Sequence, residues 1–436
     1  MSRPRVVVVG TGFAGYQAAR TLSRLCRDTA EIVIINPRDY FLYMSLLPEV
    51  MAGVLEPRRI TVSLPDTLPG TRLILGEVDG LDLQQRQVTW RDPDDRPGEI
   101  TYHQLVLALG SVNRLLPIPG VAEQAHGFRG IAEALYLRDH MTRQIELTDA
   151  SDDPAERAAR STFVVVGAGY TGTEVAAQGV LYTDALHKRH PRIPERPRWL
   201  LLDLGKRVLP GLDYRLAGTA ERVLRQRGVE LRMGVSVAEA TTDGVKLTDG
   251  SFVPTRSLIW CVGVRPDPVV NELGLEMAEG RLLVDRYLTV PGRPEVYAVG
   301  DAAAVSDLTR PGQLTPMTAQ HAVRQGKRAA YNIAASYGKG RRRPYEHHDL
   351  GFVVDLGGLQ AAANPLHVPL SGFPAKVVTR GYHLLALPGN RARTAADWLL
   401  GAVMSRQTVQ LGLVSPAAVP LETASPEPPA RLSTAG

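Results

Sequence analysis

The chain has 436 residues, which at roughly 150 per domain is enough for about three folding units with a sizeable core. Apolar residues make up 44% and charged residues 22%, which excludes a disordered, collagen-like or multi-span membrane chain. The formal net charge of +5 is too weak an imbalance to argue for nucleic acid. Two cysteines, Cys26 and Cys261, lie 235 positions apart, so no closely spaced pair exists for disulfide chemistry or zinc. No run approaches the roughly 18 apolar residues of a membrane span, which points to a protein in the cytoplasm or on a membrane surface.

In chain order, Val6 to Val9 is too short for a signal-peptide core and reads as a β-strand. It leads into Gly10-Thr-Gly-Phe-Ala-Gly15 and a helical pattern. A β-rich stretch ending at Asn36 follows, then a short strand ending at Gly76, an antiparallel ribbon over about 84–102, and a buried strand ending at Gly110. The plan then repeats. Phe163 to Val166 leads into Gly167-Ala-Gly-Tyr-Thr-Gly172 and a helix; Trp199 to Asp203 follows, then a strand ending at Gly234, a ribbon over about 235–253, and a buried strand ending at Gly263. Gly76 and Gly234 stand 66 and 67 positions beyond the first glycines of their loops. A single GxGxxG matches by chance in many sequences, whereas two with the same scaffold behind them predict two dinucleotide-binding units.

After the second unit come a strand ending in Gly300-Asp301 and a helical pattern beginning near Thr315. Residues 373–405 predict two short helices broken at Pro388-Gly-Asn390, and residues 415–436 read as a mostly unstructured tail. Trp398, Leu399, Ala402 and Val403 form one apolar helical face, flanked by Arg391, Arg393 and Arg406, which suits a bilayer interface or a packed helix. His187, His190, His347 and His348 form no closing ligand set, so no metal is expected and they read as surface residues. Cys26 and Cys261 read as inert core residues.

In each loop the first glycine makes the tight turn, the second lets backbone approach a pyrophosphate, and the third lets helix pack on strand. These are Gly10, Gly12 and Gly15, then Gly167, Gly169 and Gly172. A residue that binds a ribose hydroxyl is expected about 20 positions on. Asn36 stands there in the first unit, with Arg38 beside it as a cofactor contact or a solvated turn residue, and Asp203 stands there in the second. Asp203 repels a 2′-phosphate and favours NADH over NADPH, moderated by the nearby Lys206 and Arg207. The strand-end glycines Gly110 and Gly263 complete the cofactor-binding set. Two adjacent dinucleotides suggest hydride transfer from a nicotinamide to a flavin, since two nicotinamides have no obvious reaction with each other.

The chain resembles the two-dinucleotide flavoprotein reductases and, within them, the type II, non-proton-pumping NADH dehydrogenases, over about residues 5 to 410. The resemblance rests on Asn36-Pro-Arg-Asp-Tyr-Phe41 with Leu46-Leu-Pro48, Thr171-Gly-Thr-Glu174, Trp260-Cys-Val-Gly-Val264 and Gly300-Asp301-Ala-Ala303. It implies that Glu174 lies near the reacting rings, that Asp301 holds the FAD ribityl chain, and that the segment around Gly300 returns to the FAD domain. The family's Ala-Gln-x-Ala-x-Gln-Gln run is here Ala319-Gln-His-Ala-Val-Arg-Gln325, so Gln320 matches the first quinone-facing glutamine and Arg324 replaces the second. A cation there stabilises a reduced, anionic acceptor, or it marks an unusual acceptor.

The expected fold is α/β, with two tandem Rossmann-like domains, the second inserted in the first, and a C-terminal helical segment. The boundaries are residues 1–115 and 296–372 for FAD, 116–295 for NADH, 373–414 for membrane association or dimerisation, and 415–436 for the tail. The resemblance implies an enzyme that takes hydride from NADH onto FAD and passes two electrons to a membrane quinone. Glu174, Gln320 and Arg324 serve the reaction, and the C-terminal helices attach the protein to the inner face of the cell membrane or pair two copies as a homodimer. A soluble NADH-dependent reductase of a small redox protein, or an FAD/NADH redox-sensing interaction protein, is the alternative.

Overall fold

The computed structural model describes residues 3–406 and 408–421, and the chain divides into two compact units. The first comprises Met1–Tyr43, Thr61–Val112 and Val264–Asp349. Its six-stranded sheet runs in the order Thr289–Val290, Arg293–Ala298, Gln104–Leu107, Arg5–Val9, Glu31–Asn36, Thr71–Leu75. All pairs are parallel except the edge hairpin made by the first two. Val6 to Val8 are fully buried, as expected of a central parallel strand covered on both faces. The helices Phe13–Leu25 and Ala319–Ser336 pack closely because residue 326 is glycine: a Cβ there would lie 2.0 Å from the carbonyl oxygen of Ala14. The predicted ribbon is the antiparallel meander Glu77–Asp82, Gln87–Arg91, Pro97–Thr101.

The second unit comprises Met44–Ile60, Asn113–Gly263 and Leu350–Gly436. Its parallel sheet runs Ala125–His126, Ser257–Trp260, Thr162–Val166, Arg198–Asp203, Val229–Met233. The last four repeat the order of the corresponding strands in the first unit, so the duplication in sequence is a duplication in topology. Alternate residues Val164, Val166, Leu200, Leu202, Leu258 and Trp260 share one core with Val237, Val245 and Val253 of the meander Val237–Thr241, Gly244–Leu247, Phe252–Pro254. A small antiparallel sheet, Val353–Asp355, Ala361–Ala363, Leu370–Ser371, precedes the helices Gly372–Ala386 and Arg391–Val403. They break at the expected place, where Asn390 adopts φ +50°.

The units divide the chain at other points than those expected. Residues 264–295 lie with the first unit, because Leu282 and Leu283 pair with Ala303 and Ala304 and because Thr289 and Val290 form the sheet edge. Residues 44–60 and 350–372 lie with the second, held by the Arg59 to Asp397 ion pair at 2.8 Å and by Asp355, whose N–H donates to Glu174 Oε1 at 2.8 Å. The start of the expected unstructured tail is ordered: Pro416–Ala418 form a helical turn, and Leu421, 2% exposed, joins the core of the second unit. Residues 422–436 lie outside the described residues.

Gly326→Ala should destabilise the protein by about 1–3 kcal/mol, because the added methyl must push one helix off the other. The check is a fall in the urea midpoint, against Lys327→Ala, an exposed neighbour, as the control.

Candidate functional site

Both glycine loops have the same steric signature. A Cβ on Gly10 would lie 2.5 Å from Ala108 O, and one on Gly15 would lie 1.9 Å from Gly10 O, while one on Gly12 meets nothing within 4 Å. The matching distances are 2.2 Å from Cys261 O for Gly167 and 1.8 Å from Gly167 O for Gly172, with nothing within 4 Å of Gly169. The first and third glycines are closed by backbone, and the second faces open space, which is the cradle a pyrophosphate fills. The helices Phe13–Leu25 and Tyr170–His187 start at these loops, where neither capping glycine offers a side chain to the first turn.

The polar residue ending the next strand pins each loop. Asn36 Oδ1 accepts the N–H of Thr11 at 2.9 Å, and its Nδ2 donates to Arg38 O at 2.7 Å. Asp203 Oδ2 accepts the N–H of Ala168 at 2.7 Å, and its Oδ1 accepts that of Gly205 at 2.6 Å. The exposed Arg38 side chain meets Tyr40 OH at 3.0 Å. Asp301 Oδ2 accepts the Ser111 hydroxyl at 2.6 Å, and Gly300 N–H donates to Gln325 Oε1 at 2.8 Å. Gly110 and Gly263 take φ of +77° and +95°. Ser111 and Gln325 are functional candidates the sequence reading missed, although Gln325 closes the run already singled out.

In the second unit Glu174 belongs to a larger buried cluster. Part of its side chain reaches the surface, but its carboxyl is enclosed. Asp355 Oδ1 accepts from Gln178 Nε2 at 3.3 Å and from Gly357 N–H at 2.7 Å, and its Oδ2 meets Lys376 Nζ. Lys376 also lies 3.7 Å from Glu49 Oε1, and Glu49 Oε2 accepts the Trp398 indole N–H. Glu49, Asp355, Lys376 and Trp398 are all buried. Burial first of all, with the charges of Asp355 and Glu49, pushes Glu174 up to about 8, and burial with the Asp355 charge pushes Glu49 up to about 7 against the charges of Lys376 and Arg380. Nothing local in the sequence marks Glu49, Asp355 or Lys376, the first of which lies far along the chain from the other two.

Several expectations are corrected. Trp398 is turned inward, 5% exposed, and the outward face of its helix carries Leu399, Leu400 and Val403. Arg406 is half-buried and reaches Ala52 O. His190 sits against Glu146 at 3.3 Å and Asp149 at 3.7 Å, its side chain 14% exposed. His347 is not a free surface residue: it accepts a hydrogen bond from Arg324. Gln320 and Arg324 share one face of the helix Ala319–Ser336, one turn apart. Burial pushes the Cys261 thiol up to about 12, consistent with an inert side chain.

Residues 4–326 match the family described as pyridine nucleotide-disulphide oxidoreductase. The chain is 32% identical to the type II NADH:quinone oxidoreductase NdhA of Mycobacterium tuberculosis, over 95% of this chain and 90% of the relative. It is 28% identical to the demethylphylloquinone reductase NdbB of Synechocystis, over 91% of this chain and 96% of that protein. Its fold matches NDH2 from Plasmodium falciparum, solved in complex with NADH, with a TM-score of 0.85 over 93% of this chain and 100% of that one at 16% identity.

Folded Glu174 binds its proton more tightly than the unfolded chain does. The resulting stabilisation is complete below the ordinary 4.5 and is lost as pH rises through about 8. The urea midpoint of the wild type should therefore fall from about pH 5 to about pH 9, and Glu174→Gln, neutral throughout, should flatten that fall. Equal slopes in the two proteins would remove Glu174 from this role.

Proposed function

This chain belongs to the pyridine nucleotide-disulphide oxidoreductase family and, within it, to the type II NADH:quinone oxidoreductases, and on that premise we propose that the first unit holds FAD, the second holds NADH, and a quinone is reduced at a membrane surface. Bound FAD supplies the chemistry, taking a hydride from NADH and passing two electrons to the quinone. The observation that carries this reading is the pair of pinned, sterically equivalent glycine cradles in one chain.

In the first unit the N–H groups after Gly10 would meet the FAD pyrophosphate, and Asp301, oriented by Ser111, would take the ribityl hydroxyls. Asn36 fixes the loop without adding charge beside the ribose. In the second unit the Asp203 carboxylate serves the NADH ribose. Arg207 donates to Pro210 O at 2.7 Å and stacks over Tyr214 at 4.0 Å, so this cation is engaged with its own loop, which supports NADH over NADPH. Glu174 uses Oε1 to accept the Asp355 N–H, which leaves its proton to Oε2. Making a quinol takes one proton beyond what the hydride brings, and a carboxyl still protonated at neutral pH is suited to supply it. With two cysteines far apart, the chain reads as a family member without the disulfide step.

The membrane reading rests on the C-terminal helices. No helix among the described residues is long and apolar enough to cross a bilayer. Phe373, Val377, Leu385, Leu399, Leu400 and Val403 are 53–82% exposed, with Arg391 and Arg393 also exposed at the start of the second helix. An exposed apolar face of this kind beside basic residues supports seating at a lipid headgroup boundary. A second copy of the chain is the competing occupant.

Anaerobic stopped-flow absorbance tests the enzyme reading. NADH should bleach the flavin band faster than NADPH does, and a menaquinone analogue should restore it. Asp203→Ala should slow bleaching by NADH about tenfold and narrow the preference, in line with the loss of a charge-assisted contact. A band bleached by NADH that no quinone restores would sink the quinone assignment.

Co-sedimentation with phosphatidylglycerol vesicles tests the attachment. The double variant Leu399→Asp and Val403→Asp should bind about tenfold or more weakly, since two apolar contacts become charges. Unchanged vesicle binding, or a shift to a smaller species in gel filtration instead, would assign that face to another partner.

A further inference from the structure

The loop that follows the helix Ala319–Ser336 folds back on it and takes hold of Arg324. Nη1 of Arg324 donates to His347 Nδ1 at 3.0 Å and to the carbonyl of His348. A guanidinium only donates, so His347 Nδ1 carries no proton and the ring is the Nε2–H tautomer. With that lone pair used, the Tyr345 hydroxyl, 3.5 Å from it, is directed to His321 Nδ1 at 2.8 Å. The two imidazoles stack, with centroids 3.8 Å apart and planes inclined by 25°. Stacked rings beside a guanidinium are compatible only while both are neutral, since a charge on either is repelled by its neighbours.

Burial, then the neighbouring His347, holds His321 down to about 4, and burial with the Arg324 charge holds His347 below the ordinary 6.5. The charged and titratable groups facing the pair are Arg324 on the helix, Asp307 before it, and Tyr345, His348 and Asp349 on the loop. Asp307 and Asp349 favour protonation, but by less than burial opposes it. The next helix residue, Gln325, holds Gly300 N–H at 2.8 Å. The turn carrying Arg324 is thereby tied to the Gly300–Asp301 turn assigned to FAD.

We infer that His347, stacked on His321, is a positioning residue that holds Arg324 through Nη1, so that Nη2 and Nε meet the carbonyl oxygen of the quinone, where negative charge collects as it is reduced. This rests on the quinone reading above and adds to it the device that orients the unusual cation. The family's neutral amide is replaced by a guanidinium that loses its imidazole partner, keeping only the His348 carbonyl, when His347 takes a proton at Nδ1.

The test combines an imidazole titration of the ¹⁵N-labelled holoprotein by NMR with the reoxidation half-reaction in stopped flow. His347 should be in the Nε2–H form and titrate below 6.5, and Arg324→Gln should raise that titration by about one pH unit. Reoxidation by the menaquinone analogue should slow as pH falls through the His347 titration, and this acid limb should be absent in Arg324→Gln. His347→Ala should slow reoxidation about tenfold in kcat, and His347→Asn, whose amide oxygen accepts from Arg324, should restore most of it. A His347 titration indifferent to Arg324→Gln, or equal loss in the Ala and Asn variants, overturns the proposal. A wild-type flavin that NADH bleaches and the quinone never reoxidises overturns the quinone reading instead, and the imidazole titration then decides the Arg324 clasp by itself.

Discussion

Each nucleotide cradle depends on one hydrogen bond, from the N–H of the residue after the first glycine to the side chain that ends the next strand. In one unit Thr11 donates to Asn36, and in the other Ala168 donates to Asp203. The bond forms because Gly10 and Gly167 take φ of +84° and +102° and press against backbone that a Cβ would strike. It fixes where the remaining N–H groups of the turn point, and anion binding at a helix start needs those groups aligned. Asp203 takes a second backbone N–H on its other oxygen, so its carboxylate is held in place from both sides. Asn36 spends its amide on Arg38 O, which orients the side chain without contributing charge.

A different constraint governs the buried cluster of the second unit. Enclosing Glu49, Glu174 and Asp355 together would be strongly unfavourable if all three were ionised, and burial keeps Glu174 and Glu49 inclined to hold protons even with Lys376 beside them and Arg380 near Glu49. The cluster is thus tuned by composition: removing Lys376 would raise Glu174 and Glu49 further, and adding a cation would lower them. A carboxyl that stays protonated at neutral pH follows from burial first and from its carboxyl neighbours second.

The parts of the molecule legible in sequence are those encoded locally. Two loops, two strand-end residues and a common offset identify the duplicated scaffold, because each is a short pattern with one steric meaning. Glu49, Asp355 and Lys376 are not marked in the sequence, since Glu49 lies about 300 positions from the other two and Lys376 reads as one polar residue among apolar neighbours. Periodicity found the helix Arg391–Val403 but put Trp398 on one face with Leu399 and Val403, because it groups residues by spacing without saying which side meets the protein. The edges of the units were misjudged where strands return, at residues 264–295, since pairing partners rather than local pattern decide membership there.

The C-terminal helices invert the usual arrangement of a surface helix. Their inward side carries Lys376, Asp397 and Trp398, engaged with Asp355, Arg59 and Glu49, while large apolar residues point outward. A helix in water buries its apolar stripe and exposes its charges. The reverse is stable when the polar side is satisfied internally and the outer side meets an apolar phase. One pair of helices thus has two faces of different character: the inner closes the carboxyl cluster through Lys376 and the Trp398 indole, and the outer is apolar and exposed. The exposed apolar face and the closing of the cluster are borne by the same two elements, so a shift of either helix on its support would change the charge balance around Glu174.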